Sequence, residues 1–69
     1  MINLIYADEQ ENVIKKIALD NETKESLKRA GLFVGATVRI VHSDGGNLIL
    51  DVRGEKVAVS RETAERIFV

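Results

Sequence analysis

The chain has 69 residues, no cysteine, no tryptophan and a formal net charge of −1. A chain of this length buries only roughly 60% of its unfolded surface, so we expect one small domain over residues 1–69 with modest stability. The composition excludes disulfides and cysteine-based metal or iron–sulfur sites, and the near-neutral charge and scarcity of aromatic residues argue against nucleic-acid binding.

The N-terminal segment is apolar but short. Residues 1–7 predict an irregular lead-in or a short strand packed against the domain, and the acidic and polar residues 8–12 predict a solvated turn. The segment lacks the basic region of a signal peptide, and no run of about 18 apolar residues could cross a bilayer. We therefore expect a cytoplasmic protein that does not insert into a membrane.

A strand is predicted over residues 13–19. Alternation places Val13, Ile17 and Leu19 on one face together with Lys15. The lysines indicate that this strand lies near solvent, because charged residues commonly protect an exposed edge.

A short helix is predicted over residues 22–30. Asp20 and Asn21 can accept hydrogen bonds from its first turn, and Gly31 can end it because glycine adopts a left-handed conformation at little cost. One face of the helix is basic and could meet an acidic partner. This face comprises Lys24, Lys28 and Arg29.

The second half of the chain predicts strands over residues 37–42, 47–53 and 55–59. Tight turns are expected at residues 43–46 and at Gly54. A single helical turn over residues 60–65, capped by Ser60, precedes a last short strand over residues 66–69. The residues expected to face inward are apolar. They are Val38, Ile40, Leu48, Leu50, Val52, Val57 and Val59.

This order of elements predicts a mainly β fold. We expect a small, closed SH3-like β-barrel of about five strands, with one short α-helix between the first two strands and a single helical turn before the last. Closure into a barrel would also remove the exposed edges of so small a sheet.

Three ordered stretches resemble the FeoA-like domain family. They are Leu27-x-x-x-Gly31-Leu32-x-x-Gly35, the segment from Gly45 to Gly54, and the tail from Val57-Ala58-Val59 to Ile67. The resemblance covers residues 13–69. The chain departs from it in having Val34 where the family often has proline, and in having no glycine before the first strand. The family's fold is the one predicted above, and similar domains form the C-terminal part of iron-dependent repressors.

The resemblance implies an accessory protein of ferrous iron transport that binds the cytoplasmic part of the membrane transporter FeoB and modulates uptake. It implies a binding module and not an enzyme. The near-neutral charge and the few aromatic residues separately predict no nucleic-acid partner. An alternative is a regulatory module that responds to a metal or a peptide, as the related repressor domains would suggest. Weak self-association is also compatible with the apolar residues that the strands expose.

The expected partner-binding surface lies between the two glycines. Residues in tight turns usually project outward, so Leu32, Phe33 and Val34 could contact a partner with Arg29 as a charged rim. A second interpretation stays open for Phe33, which could instead fold back over the end of the barrel. Outward Val41 and Ile49 could enlarge the apolar surface.

His42 and Asp44 are weak candidates for a metal site. Fe(II) accepts imidazole and carboxylate ligands, and these two residues would share a strand face. One such pair lacks the three or four ligands of a committed site. We expect no resident cofactor, and ferrous iron binding no tighter than millimolar.

Overall fold

The computed structural model describes residues 1–8, 11–43 and 46–69. After a 3-10 turn at Leu4–Tyr6, the chain forms eight labelled elements in the described ranges. They are β1 (Glu11–Val13), β2 (Lys16–Ile17), α1 (Asn21–Arg29), β3 (Thr37–Ser43), β4 (Asn47–Val52), β5 (Glu55–Ser60), α2 (Arg61–Ala64) and β6 (Ile67–Phe68). No helix in these ranges is long and apolar enough to cross a bilayer.

The strands form two antiparallel sheets. β1, β3, β4 and β5 lie in that order in a four-stranded sheet, while β2 pairs with β6 in a two-stranded sheet. The mainly β, SH3-like prediction is confirmed, but the two sheets do not join into the closed barrel that we expected. Among the described residues, β5 pairs with β4 alone, because the chain turns into α2 before it reaches β6.

The predicted strand over residues 13–19 is divided between these sheets. The N–H of Ile14 donates to the carbonyl of Ala36 (2.9 Å), whereas the N–H of Lys15 donates to that of Phe68 (2.8 Å). The backbone thus leaves one sheet and enters the other between adjacent residues. Alternation fails there, so Ile14 is buried and Val13 is 46% exposed. The prediction that Val13 lies on the same strand face as Ile17 was wrong.

The helix α1 begins and ends as its sequence requires. The Oδ1 of Asp20 accepts from the N–H of Thr23 at 3.0 Å, which caps the first turn. At the other end the N–H of Gly31 donates to Lys28 and the N–H of Leu32 donates to Leu27. These two bonds form a Schellman motif, and Gly31 has the positive φ of 92° that this motif needs.

The core lies between the four-stranded sheet and the segments that cross it. Alternation correctly predicted the inward faces of β3, β4 and β5, with Val57 half-buried and the other six predicted residues buried. Val41 is exposed, as alternation predicts, and a register shift between β3 and β4 lies at this point, between Ile40 and His42. The 3-10 turn adds Leu4, which is completely buried, and Ile2 and Val69 exchange two backbone hydrogen bonds. The lead-in is therefore part of the packed structure.

Two aspartates link the stability of this fold to pH. Hydrogen bonds from Thr23 lower the pKa of Asp20 below its usual value of 3.8. The pKa of Asp51 is lowered chiefly by the N–H of Gly54, which donates to Oδ1 at 2.8 Å, and further by Lys56. Below pH 3.8 and above the lowered values, the unfolded chain binds more protons than the folded chain.

We therefore expect the stabilisation that these two carboxylates contribute to be fully present above their unfolded pKa. It should be lost as the pH falls through their lowered pKa values in the folded chain. Thermal melting of Asp51→Asn across the acid range checks this, because asparagine keeps an oxygen acceptor for Gly54 but loses the charge. The variant should show a shallower loss of melting temperature with acid than the native chain. Identical acid profiles for the two proteins would contradict the assignment.

Candidate partner-binding groove

A groove opens between α1 and the loop that follows it. Its volume is about 340 Å³. The loop forms one wall, α1 forms the other, and buried core side chains form the floor. The lining residues are Ile17, Lys24, Glu25, Lys28, Leu32, Phe33 and Val34. We call this site the α1 groove.

Two glycines hold the loop wall in place. Gly31 ends α1, and Gly35, with φ of 98°, occupies the third position of a turn in which the N–H of Ala36 donates to the carbonyl of Phe33 at 2.9 Å. Turns with a positive φ at this position need glycine there and favour proline just before it. Val34 occupies that preceding position at the tip of the turn. The missing proline therefore leaves the turn intact.

The apolar residues of the loop divide sharply by exposure. Val34 is 61% exposed and Phe33 is 36% exposed, whereas Leu32 has no exposed surface. The prediction that Leu32 is itself a surface contact is therefore corrected, because its side chain lies in the core beneath the groove. Two interpretations were open for Phe33, contact with a partner and folding back over the domain. Most of its side chain is covered, while the remainder lines the open groove, so its position has features of both.

The helix wall is mainly cationic. Lys24 and Lys28 lie one turn apart on the same face of α1, and both line the groove with Glu25 between them. Within the described residues, neither lysine forms an ion pair. Arg29 is exposed at the last position of α1 but lies outside the lining, where it can only extend the positive rim. The groove combines an apolar wall with a positive one.

Sequence reasoning identified this basic face and the exposed loop separately. It missed Glu25 and Ile17 as lining residues. Ile17 is 93% covered, so only the fold reveals that its edge reaches the groove floor. Glu25 could have been found from the sequence. It is next to Lys24 and three residues before Lys28, so it borders the helix face that these two lysines define.

The two candidate metal ligands lie at the end of β3. The backbone of His42 belongs to β3, but its side chain and the whole of Asp44 lie outside the described residues. The proposed pairing of their side chains thus stays a prediction. In the part of the chain that the structure describes, no group of three or more His, Cys, Asp or Glu side chains could hold a metal ion.

The chain is similar to known proteins along nearly all of its length. Its sequence matches the FeoA domain family over residues 6–69. It is 30% identical over 70 residues to a Methanocaldococcus jannaschii protein named as Fe(2+) transport protein A, with all of this chain and 85% of the relative covered.

Two solved structures share the fold. One is the NMR structure of an FeoA protein from Chlorobium tepidum, with a TM-score of 0.86 and 17% identity over 97% of this chain and 67% of that one. The other is a crystal structure of an iron uptake regulatory protein (FeoA), with a TM-score of 0.83 and 24% identity over 96% of this chain and 89% of that one.

Proposed function

Because the chain belongs to the FeoA domain family, we propose that it is an accessory protein of ferrous iron transport that binds the cytoplasmic part of the transporter FeoB through the α1 groove. The family match over residues 6–69 carries the assignment to iron transport. The role is one of binding and not of catalysis, and it is exercised on the cytoplasmic side of the membrane.

The composition of the α1 groove supports the choice of surface. Large apolar side chains that stay exposed on so small a domain are candidates for contact with another protein. Phe33 has the aromatic character typical of residues that dominate binding energy, and Val34 stands beside it at the tip of a turn held by two glycines. A wall that is already fixed in the free protein loses little conformational entropy on binding.

The cationic wall indicates what kind of surface on FeoB would fit the groove. Lys24 and Lys28 would face carboxylates of the transporter, while its apolar residues would lie against Phe33 and Val34. Charges at the rim of an interface act mainly on the rate of association and on specificity, so the apolar wall would supply most of the affinity. Modulation of uptake would follow from occupancy of the cytoplasmic part of FeoB.

Capture of the purified cytoplasmic part of the cognate FeoB by this chain tests the proposal. We expect Val34→Asp to abolish detectable capture, because the substitution puts a charge into the apolar part of the contact. Phe33→Ala should weaken binding by roughly tenfold or more, equivalent to about 1.4 kcal/mol or more, as for a central aromatic contact residue. Both affinities are measured by titration calorimetry.

The matched control is Val13→Asp. It makes the same change at a valine that is 46% exposed on β1 and outside the α1 groove. This control should bind FeoB as the native chain does. Equal binding by Val34→Asp and Val13→Asp would assign the contact to a different surface, and absence of binding by the native chain would refute the FeoB partnership itself.

A further inference from the structure

The outer edge of β5 has no partner strand in the described residues. β5 is the last strand of the four-stranded sheet and pairs with β4 through six consecutive residues without a register shift. No described backbone group bonds to its other side. The opposite edge strand, β1, has only three residues. The sheet therefore offers one long, regular edge.

The turn between β4 and β5 determines which backbone groups face outward. Arg53 and Gly54 both have positive φ, so they form a two-residue hairpin turn in which Glu55 donates to Val52. Hydrogen-bonded and non-bonded pairs alternate from that point. The N–H and C=O groups of residues 55, 57 and 59 are therefore directed toward β4, and those of Lys56 and Ala58 are directed to the open edge. Ser60 ends the strand as the N-cap of α2, so its C=O belongs to the first turn of that helix and only its N–H is directed to the edge.

The usual protection of an exposed edge is weak here. Natural edges carry proline, a bulge or an outward lysine, each of which discourages the approach of another strand. β5 has no proline and no bulge. It has one lysine, Lys56, whose Nζ lies 3.4 Å from the Oδ2 of Asp51 on β4. The ammonium group thus lies toward the neighbouring strand and not over the open edge.

We propose that a second copy of this chain pairs antiparallel with β5, with Ala58 opposite Ala58 of the second copy. In this register Lys56 faces Ser60 of the second copy and Val57 faces its Val59, so no like charges meet and apolar residues share the inner face.

One neighbouring register is disfavoured by charge. A register centred on Lys56 would place two lysines opposite one another, which is destabilising. A pairing of five residues on each strand, 56–60, is also a small interface, so the product is a weak dimer that forms at high concentration. Pairing would merge the two four-stranded sheets into one continuous sheet and leave both α1 grooves outside the contact between the strands.

Charge exchange at the two-fold axis tests this inference. Ala58 is exposed, so both Ala58→Glu and Ala58→Lys should fold, which their thermal melting will verify. Sedimentation equilibrium of the native chain should show an average mass that rises with concentration from one chain toward two. Each variant alone should stay monomeric, because like charges meet at the axis, and an equimolar mixture of the two should dimerise again.

A single cysteine provides a second measurement of the register. The chain has no cysteine, and hydrogen-bonded antiparallel pairs place Cα atoms about 5.5 Å apart, within the range of a disulfide. Ala58→Cys should therefore form a covalent dimer on oxidation, whereas Lys56→Cys, which faces Ser60, should not.

A native chain that remains monomeric at every concentration would overturn the proposal and leave the β5 edge to a strand of another protein. A mixture of the charge variants that stays monomeric, or equal crosslinking of the two cysteine variants, would refute the register. None of these measurements includes FeoB, so their outcome is independent of the proposed function.

Discussion

Replacement of Gly31 by alanine is expected to lower the free energy of unfolding by about 2–5 kcal/mol, of which about 1–2 comes from the left-handed backbone and about 1–3 from overpacking. Gly31 has φ of 92°, and a Cβ at this position would lie 2.9 Å from Cγ1 of Val52. Val52 is buried in β4, so it has little room to move away. The loss is comparable to the whole stability expected of a domain of this size.

Gly35 provides the matched control for this substitution. Its φ is 98°, but a Cβ there would meet nothing within 4 Å. Gly35→Ala should therefore cost only the backbone part, about 1–2 kcal/mol. Urea unfolding of the two variants measures the difference. In the double variant Gly31→Ala with Val52→Ala, the combined loss should be smaller than the sum of the single losses, because the second change removes the clashing atom. Equal losses at both glycines would contradict the close approach.

Local signals were sufficient for much of the fold. The capping oxygen of Asp20 and the glycine after α1 are both local features, and each marks an end of the helix. The strands β4 and β5 alternate regularly and are joined by a turn of only two residues, so their register could be predicted from the residues within each strand. The inward faces followed for the same reason.

Contacts between distant segments were the part that sequence reasoning could not predict. The division at Ile14 and Lys15 depends on carbonyls of Ala36 and Phe68, which are far apart in the chain. The alternation of residues 13–19 does not indicate which of the two sheets each residue joins. The open barrel has the same origin, because closure depends on where α2 directs the chain after β5 and not on any strand's own pattern.

The candidate site was predicted only in part, because its loop is marked by local residues but the burial of each side chain depends on distant ones. Two glycines indicated that the residues between them form an exposed loop, and Val34 and Phe33 fit that expectation. The depth of each side chain depends instead on the elements beneath the loop. Leu32 follows Gly31 directly and bonds through its N–H to Leu27, which directs the chain back over the core before it emerges at Phe33.

Leu32→Ala and Val34→Ala should therefore differ widely in their effect on the free energy of unfolding, although the two residues are only two positions apart. Leu32 is completely buried, so its truncation should lower the free energy of unfolding by about 2–5 kcal/mol through lost burial and a residual cavity. Val34 is 61% exposed, and its truncation should change that quantity by no more than about 0.5 kcal/mol. Urea unfolding followed by circular dichroism measures both.

The same pair of variants separates packing from binding in the α1 groove. Val34→Ala should weaken capture of the cytoplasmic part of FeoB while its melting temperature stays near that of the native chain. Leu32→Ala should lose capture only in proportion to its unfolded fraction, because the exposed wall of Phe33 and Val34 is still present in the molecules that remain folded. If Leu32→Ala were as stable as the native chain but failed to bind, Leu32 would have to reach the partner directly, and the loop would then lie differently from its arrangement in this structure.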